Sequence, residues 1–468
     1  MAQQNETLYQ GGFAKTLKKI YRGIGIISIA AVVAYLLYAV ILPFDANANK
    51  GLAILFFIGV LWLTEAVHIT ATALFVPVLA VLAGVPEFNT KSAFANFADP
   101  IIYVFVGGFA LAAALSVQKL DRKIALWIMR LSNGHLGRAV MMMFLATAGL
   151  SMWISNTATA AMMVPLSLGL LTQLDREKDR NTCIFILLGV AYSAGIGGIG
   201  LLVGSPPNGI AAKQLGMDFM DWLKVALPLL VVLLPTLIAT MYLILKPNLN
   251  QKIVVSDEEI PWTPARILTI VVFVITATCW IFGKQISGYF GFDSPDTMIG
   301  MMGALSVMVL GLATWKQVSE RTEWGVLLLI GGGFTLSNVM KHSGASAVLG
   351  EQLATHLAGM PVIFIIFVTA CFMIFLTEFT SNTGSTALMV PIFASVATQL
   401  GLPNELLVMV IAIGASCAFM MPVAAPPNGI AFATATGYMA QKEMVKVGFF
   451  LNWVAIGIVT LWAYVLLI

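Results

Sequence analysis

The sequence predicts an all-α, polytopic membrane protein built from an internal repeat, and three observations carry that reading. Of 468 residues, 59% are hydrophobic and only 10% are Asp, Glu, Lys or Arg, with a mean hydropathy of +0.92. Apolar runs of spanning length follow one another along the chain, and the same short polar motifs recur in its two halves. A soluble domain carries roughly 25% charged residues, so this chain cannot cover a water-facing surface of that size, and a soluble enzyme is excluded. A formal net charge of +3 with no long basic run also excludes disorder and nucleic-acid binding. Cys183, Cys279, Cys371 and Cys417 lie far apart in or beside apolar stretches, with no CxxC pair, and read as small core hydrophobes.

A spanning helix needs about 20 apolar residues. Spans are expected near 24–43, 51–66, 69–86, 100–118, 183–203, 223–245, 265–283, 297–315, 324–340, 405–423 and 446–467. The polar start, 1–22, carries Lys15, Lys18, Lys19 and Arg22. It does not read as a signal peptide, because the apolar run after it is too long and no small-residue cleavage site stands out. Two further apolar stretches, 139–172 and 361–400, are interrupted by Ser155-Asn156-Thr157 and Ser381-Asn382-Thr383. As single helices they would be about 50 Å long, too long for a bilayer. As pairs of short helices they are re-entrant hairpins with tips at mid-depth, where irregular backbone is tolerated only against protein or a water-filled cavity.

Charge supports the hairpins. With eleven crossings, two hairpins and a cytoplasmic N-terminus, nineteen of the 25 Lys and Arg fall inside. Six fall outside: Lys50, Lys91, Lys213, Lys224, Lys284 and Lys341. That follows the positive-inside rule. Treating the two stretches as ordinary spans would set Arg176, Lys178 and Arg180 opposite the Arg122–Arg138 group and weaken the bias. The arrangement puts the C-terminus outside.

The repeat rests on three landmarks in the same order. Gly107-Gly108-Phe109 returns as Gly332-Gly333-Phe334, and Ser155-Asn156-Thr157 returns as Ser381-Asn382-Thr383. Pro206-Pro207-Asn208-Gly209 returns as Pro426-Pro427-Asn428-Gly429. Each repeat holds five crossings and one hairpin. Five is odd, so the second repeat enters the membrane from the opposite face, an inverted topology typical of secondary transporters with a site at the repeat interface.

At each hairpin tip, Ser, Asn and Thr suit an N-cap, and the helix that follows offers free N–H groups with positive dipole character. Two facing tips would clamp a dianion with a carboxylate at each end, and the surrounding hydroxyls and carbonyls suit a small hard cation. The Pro-Pro pairs remove backbone donors and should kink and unwind their spans mid-membrane. Neither motif holds Lys or Arg, so an anion's charge must be compensated by helix dipoles and co-bound cations, which favours ion-coupled symport over a pore. Glu65 and Glu378 are carboxylates with apolar flanks; structural anchoring is the favoured reading, with proton coupling the alternative for Glu378. His68, His135, His342 and His356 read as interfacial. Segments 121–136 and 341–357 read as amphipathic helices at the interface.

These paired SNT and PPNG motifs resemble the divalent anion/sodium symporter family, the sodium-coupled dicarboxylate transporters nicknamed INDY. The resemblance covers nearly the whole chain and is closest to bacterial members that carry C4-dicarboxylates. It implies a homodimer in the inner membrane, with scaffold and transport domains and elevator-type motion. It further implies that Ser155, Asn156, Thr157, Ser381, Asn382, Thr383 and Pro426 contact a dicarboxylate such as succinate, fumarate or malate. By the same resemblance, one sodium ion sits by Ser151, Ser155, Asn156 and Gly204, and a second by Thr377, Asn382 and Ala424. The expected organisation is a cytoplasmic segment and first span (1–50), a first repeat (51–245), a cytoplasmic linker (246–264) and a second repeat (265–468). Within the repeats, 51–137 and 265–357 are scaffold spans, 138–213 and 358–436 are hairpins with unwound spans, and 220–245 and 446–467 are closing spans. Sodium is the expected coupling ion. A dicarboxylate exchanger, or a carrier of sulfate or another divalent anion, is the alternative. An anion channel would not need exchanging halves, and a membrane enzyme would need a nucleophile–base pair or metal cluster that the sequence does not display.

Overall fold

The computed structural model describes residues 21–254, 258–435 and 438–467; the predicted cytoplasmic cations Lys15, Lys18 and Lys19 lie outside them. Among the described residues the regular structure is helical, apart from one antiparallel bridge between His135 and Lys252. The first half holds α1 (Tyr21–Ile41), α2 (Ala46–Thr64), α3 (Ile69–Leu82), α4 (Thr90–Ala95), α5 (Pro100–Val117) and α6 (Leu120–Arg130). It continues with α7 (Leu136–Ser151), α8 (Asn156–Leu171), α9 (Arg180–Gly197), α10 (Pro206–Leu215) and α11 (Phe219–Leu245). The second half holds α12 (Pro264–Ile281), α13 (Gly283–Phe290), α14 (Pro295–Val309), α15 (Trp315–Arg321), α16 (Trp324–His342) and α17 (Ala345–Leu357). It ends with α18 (Val362–Thr377), α19 (Asn382–Gln399), α20 (Asn404–Ala415), α21 (Pro426–Thr434) and α22 (Gln441–Leu466).

Every predicted span corresponds to a helix, but not every helix is long enough to cross. Among the described residues, α1, α2, the run from α4 through α5, α9, α11, α12 and α22 are long and apolar enough, and α15 with α16, bent by 59° at their break, makes an eighth if the pair is one span. The spans expected at 69–86, 297–315 and 405–423 are the shorter α3, α14 and α20, of 14, 15 and 12 residues. At 1.5 Å per residue these cover roughly 18–23 Å. Hydropathy counts apolar residues whether or not they are helical, and here the backbone stops first. Gly84 follows α3 with φ +60° and Gly311 follows α14 with φ +67°, and past Ala415 the chain is non-helical up to Pro426.

The two interrupted stretches do form helix–break–helix pairs. α7 and α8 meet across 152–155, and α18 and α19 across 378–381. Each of the four helices is 16 or 18 residues long. Both ends of the first pair bond the same extended linker. Leu136 N–H donates to Gln251 O (2.9 Å) and Gly137 N–H to Leu249 O (3.1 Å). At the other end, Gln173 Nε2 donates to Val254 O (2.9 Å), while Asn248 N–H donates to Thr182 Oγ1 (2.8 Å). The pair therefore enters and leaves on one side of the molecule.

The proline pairs correct one expectation. They do not kink a continuous span; they open new helices, at the first positions of α10 and α21, where a missing N–H costs nothing and φ is already helical. The unwound segments are the residues before them, 198–205 and 416–425.

The core is organised around α9 and α20. Every residue from Leu406 to Ala415 is buried, as are nearly all those of α9. The α7–α8 pair packs on α9 and the α18–α19 pair on α20, while α21 crosses to α8 and α9 and α10 crosses to α19 and α20. A second group joins α5 to α14 and α3 to α16, with α12 on α14. Since lipid is as apolar as leucine, helix association in a bilayer depends on close approach and polar bonds. The GGF motifs supply the first. A Cβ on Gly107 would stand 2.6 Å from Gly300 Cα, and one on Gly332 2.7 Å from the Ala73 carbonyl oxygen. The next glycine of each motif also packs closely: Gly108 meets Val203 in the first unwound segment, and Gly333 meets Ala387 of α19.

Candidate functional site

Ser155 and Ser381 stand as the N-caps of α8 and α19, accepting from Ala158 N–H (3.3 Å) and Gly384 N–H (3.4 Å). Their extended backbone turns the chain at each tip, so Asn156-Thr157 and Asn382-Thr383 form the first helical residues, with N–H groups that have no partner inside the helix. The same hydrogen bonds then recur in both halves. Ser151 Oγ lies 2.7 Å from both Asn156 Oδ1 and Ala194 O. Thr377 Oγ1 lies 2.7 Å from Asn382 Oδ1 and 3.2 Å from Ala415 O. Asn208 Nδ2 donates to Gly198 O (2.8 Å) and Leu201 O (2.7 Å). Asn428 Nδ2 donates to Ala418 O (2.9 Å) and Met421 O (3.2 Å). The asparagine of each PPNG motif thus ties off the carbonyls that unwinding releases.

Around Gly204 the oxygens crowd. Gly198 O and Met152 O are so close that a Cβ there would stand 2.5 and 3.0 Å from them. Ser151 has one hydroxyl proton for two acceptors at 2.7 Å, a donor-poor, oxygen-rich cluster. Near its counterpart, the buried Ser416 Oγ has no hydrogen-bond partner among the described residues.

Both tips and both proline segments line one cavity of about 290 Å³. Ser155, Asn156, Thr157, Gly204, Ser381, Asn382, Thr383, Ala424 and Pro426 all reach it; Ser151 and Thr377 stand behind, fixing the two asparagines. Every site residue read from the sequence is therefore brought to one place. The N-termini of α8, α10, α19 and α21 converge there. The prolines leave α10 and α21 without N–H groups at their first positions, so the first-turn N–H groups that could serve an anion there are those of α8 and α19. Among the described residues the lining contains no Lys, Arg or His, and its only carboxylates are Glu65 and Glu323. Sequence reading missed Glu323, Tyr192 and Phe419, which line the cavity with no motif to flag them. Tyr192 Oη donates to Phe419 O (2.6 Å), tying α9 of the first half to the unwound segment of the second.

Glu378 lies behind the second tip and is fully buried. Its two oxygens accept from Phe419 N–H (2.7 Å), Met420 N–H (2.9 Å), Met421 N–H (2.9 Å) and Asn452 Nδ2 (2.8 Å). The anchoring reading of this residue accords with the geometry. Glu65 closes α2 in a left-handed conformation (φ +47°) and is exposed at the cavity. Of the histidines, His68 accepts from Thr70 N–H to cap α3 (3.3 Å), and His342 lies 2.9 Å from Glu87.

An all-helical, strongly apolar fold with helix N-termini gathered at an internal polar cavity defines an integral membrane transporter. The sequence model of the citrate transporter family matches residues 59–414, and the chain belongs to that family of carriers. A transporter of Haemophilus influenzae with no assigned substrate is 51% identical, over 94% of this chain and 96% of its own length. A sodium-dependent dicarboxylate transporter of Staphylococcus saprophyticus is 30% identical, over 90% of this chain and 87% of its own. In fold, the YdaH transporter of Alcanivorax borkumensis matches with a TM-score of 0.59 at 13% identity, over 85% of this chain and 98% of that one. MtrF of Neisseria gonorrhoeae, of a class of antimetabolite efflux pumps, matches with a TM-score of 0.56 at 13% identity, over 96% and 95%.

Proposed function

We propose that the protein is a sodium-coupled symporter of C4-dicarboxylates such as succinate, fumarate and malate. The observation that carries this reading is the cavity itself: two donor-rich helix tips face it, and among the described residues no basic side chain lines it and two carboxylates do. A dianion entering such a place meets helix dipoles but no fixed cation, so its charge has to be balanced by ions that arrive with it. The oxygen clusters at Ser151–Asn156–Gly204 and at Thr377–Asn382–Ala424 have the hard-ligand chemistry a sodium ion takes. The relative from Staphylococcus saprophyticus, named as a sodium-dependent dicarboxylate transporter, supports both halves of the reading.

In this account Thr157 and Thr383 give their hydroxyls to the two carboxylates. Asn156 and Asn382 each turn Oδ1 to sodium and Nδ2 to the substrate. The interrupted helices are hairpins of an inverted repeat, with α6 and α9 starting on the cytoplasmic side, and the hairpin group moves as a transport domain against a scaffold in a homodimer. Binding is then reciprocal: sodium raises succinate affinity, and succinate raises sodium affinity by the same factor. The test is thermal denaturation of the purified protein in sodium or choline, with and without succinate, citrate or sulfate. Succinate is expected to stabilise only in sodium, and more than citrate or sulfate. Equal stabilisation in choline would favour a sodium-independent dicarboxylate exchanger on the same scaffold.

A further inference from the structure

We propose that the groove between α6 and residues 258–262 binds one anionic phospholipid, its phosphate on Lys123 and Arg130 and an acyl chain against Ile124. The groove has a volume of about 350 Å³. Leu120, Lys123, Ile124, Trp127 and Arg130 recur at steps of three and four, so they form one face of α6; Ile260 and Trp262 form the opposite wall. The floor is aliphatic and the rim is indole. Trp127 is 63% exposed and Trp262 59%. Open tryptophans beside basic residues are the side chains that settle at lipid head-group level.

The charges agree. Lys123 Nζ donates to Ile260 O and stands 4.3 Å from the Trp262 ring centroid, so its stem lines the groove while its ammonium stays at the rim. Among the described residues Arg130 gives one of its five N–H donors to Glu258 O (3.0 Å), and a guanidinium can meet a phosphate with the others. Glu258 is the only carboxylate in the lining among the described residues, and Arg122 Nη2 holds it at 2.5 Å. The neighbouring carboxylates Asp121 and Glu259 are not in the lining. A site for free phosphate would be polar throughout. A mostly apolar slot with two cations at its mouth suits a diacyl phosphate ester, the chemistry of basic pockets that hold anionic head groups. A bound lipid would fasten α6 to the linker that joins the two halves.

Native mass spectrometry of the detergent-purified full chain, titrated with phosphatidylglycerol or phosphatidylcholine, tests this, with inorganic phosphate as competitor. Phosphatidylglycerol should bind the wild type in preference to phosphatidylcholine. Arg130→Ala and Lys123→Ala should each weaken it by about five-fold, and Trp127→Ala with Trp262→Ala should weaken it without changing charge. Lys316→Ala, on an 85% exposed side chain outside the groove, should leave it unchanged. Wild-type affinity in the Arg130 and Lys123 variants would overturn the proposal, as would displacement of the lipid by millimolar inorganic phosphate.

Discussion

Four donors converge on the two oxygens of Glu378, three from successive backbone N–H groups of residues 419–421 and one from Asn452. An ionised carboxylate is acceptor-only and matches that set, whereas an amide has to point a donor at one of the N–H groups. Glu378→Gln is therefore expected to destabilise the protein by roughly 3 kcal/mol, since buried donors lose a charged acceptor, read as a lower denaturation midpoint. The first half has Met152 at the corresponding position, so Met152→Leu should shift the midpoint by far less. At the tips, on the proposed reading, Thr157→Ala and Thr383→Ala each remove one hydroxyl donor to a substrate carboxylate. The loss of about 1.5–3 kcal/mol predicts succinate affinity weaker by ten-fold or more, with sodium binding in the absence of succinate less affected. Succinate titrations in saturating sodium check this, and unchanged affinity in both variants would remove the threonines from the site. On the same reading, Asn156→Asp and Asn382→Asp keep an oxygen for sodium but set a negative charge against the dianion. Sodium-dependent stabilisation should survive in both while succinate transport is lost.

At the scale of elements, the motifs that repeat were legible because each does a local job visible in sequence. Ser155 and Ser381 cap helices, Asn208 and Asn428 satisfy released carbonyls, and the GGF glycines let helix backbones touch. Gly107→Ala and Gly332→Ala should each cost about 1–3 kcal/mol through overpacking, while Gly288→Ala, with nothing within 4 Å of its Cβ position, should not. Thermal denaturation of the three variants distinguishes close packing from a general effect of alanine. What hydropathy misjudged were helix ends. The predicted span 405–423 includes apolar residues after Ala415 that are unwound and held by Glu378 and Asn428, bonds that no window average can register. Tyr192, Phe419 and Glu323 escaped for a related reason: they reach the cavity through tertiary packing between α9, α16 and the second unwound segment, not through spacing within any one helix.

For the molecule as a whole, α10 and α21 are each packed on the other half's interrupted helix pair and core helix, so the two halves interlock around the cavity. The linker that bonds both ends of the α7–α8 pair predicts that single cysteines at Arg130 and Lys178, in a background lacking the four native cysteines, are labelled from the same side of the membrane. Labelling from opposite sides would make 139–172 a full span and dissolve the inverted repeat. The central claim is that sodium supplies the positive charge the cavity lacks, and one measurement meets it directly: uptake of labelled succinate into proteoliposomes with and without an inward sodium gradient. The account predicts accumulation above equilibrium only with the gradient, lost in Asn156→Asp and Asn382→Asp and competed by fumarate and malate more strongly than by sulfate. Equal uptake with sodium replaced by choline on both sides would contradict it.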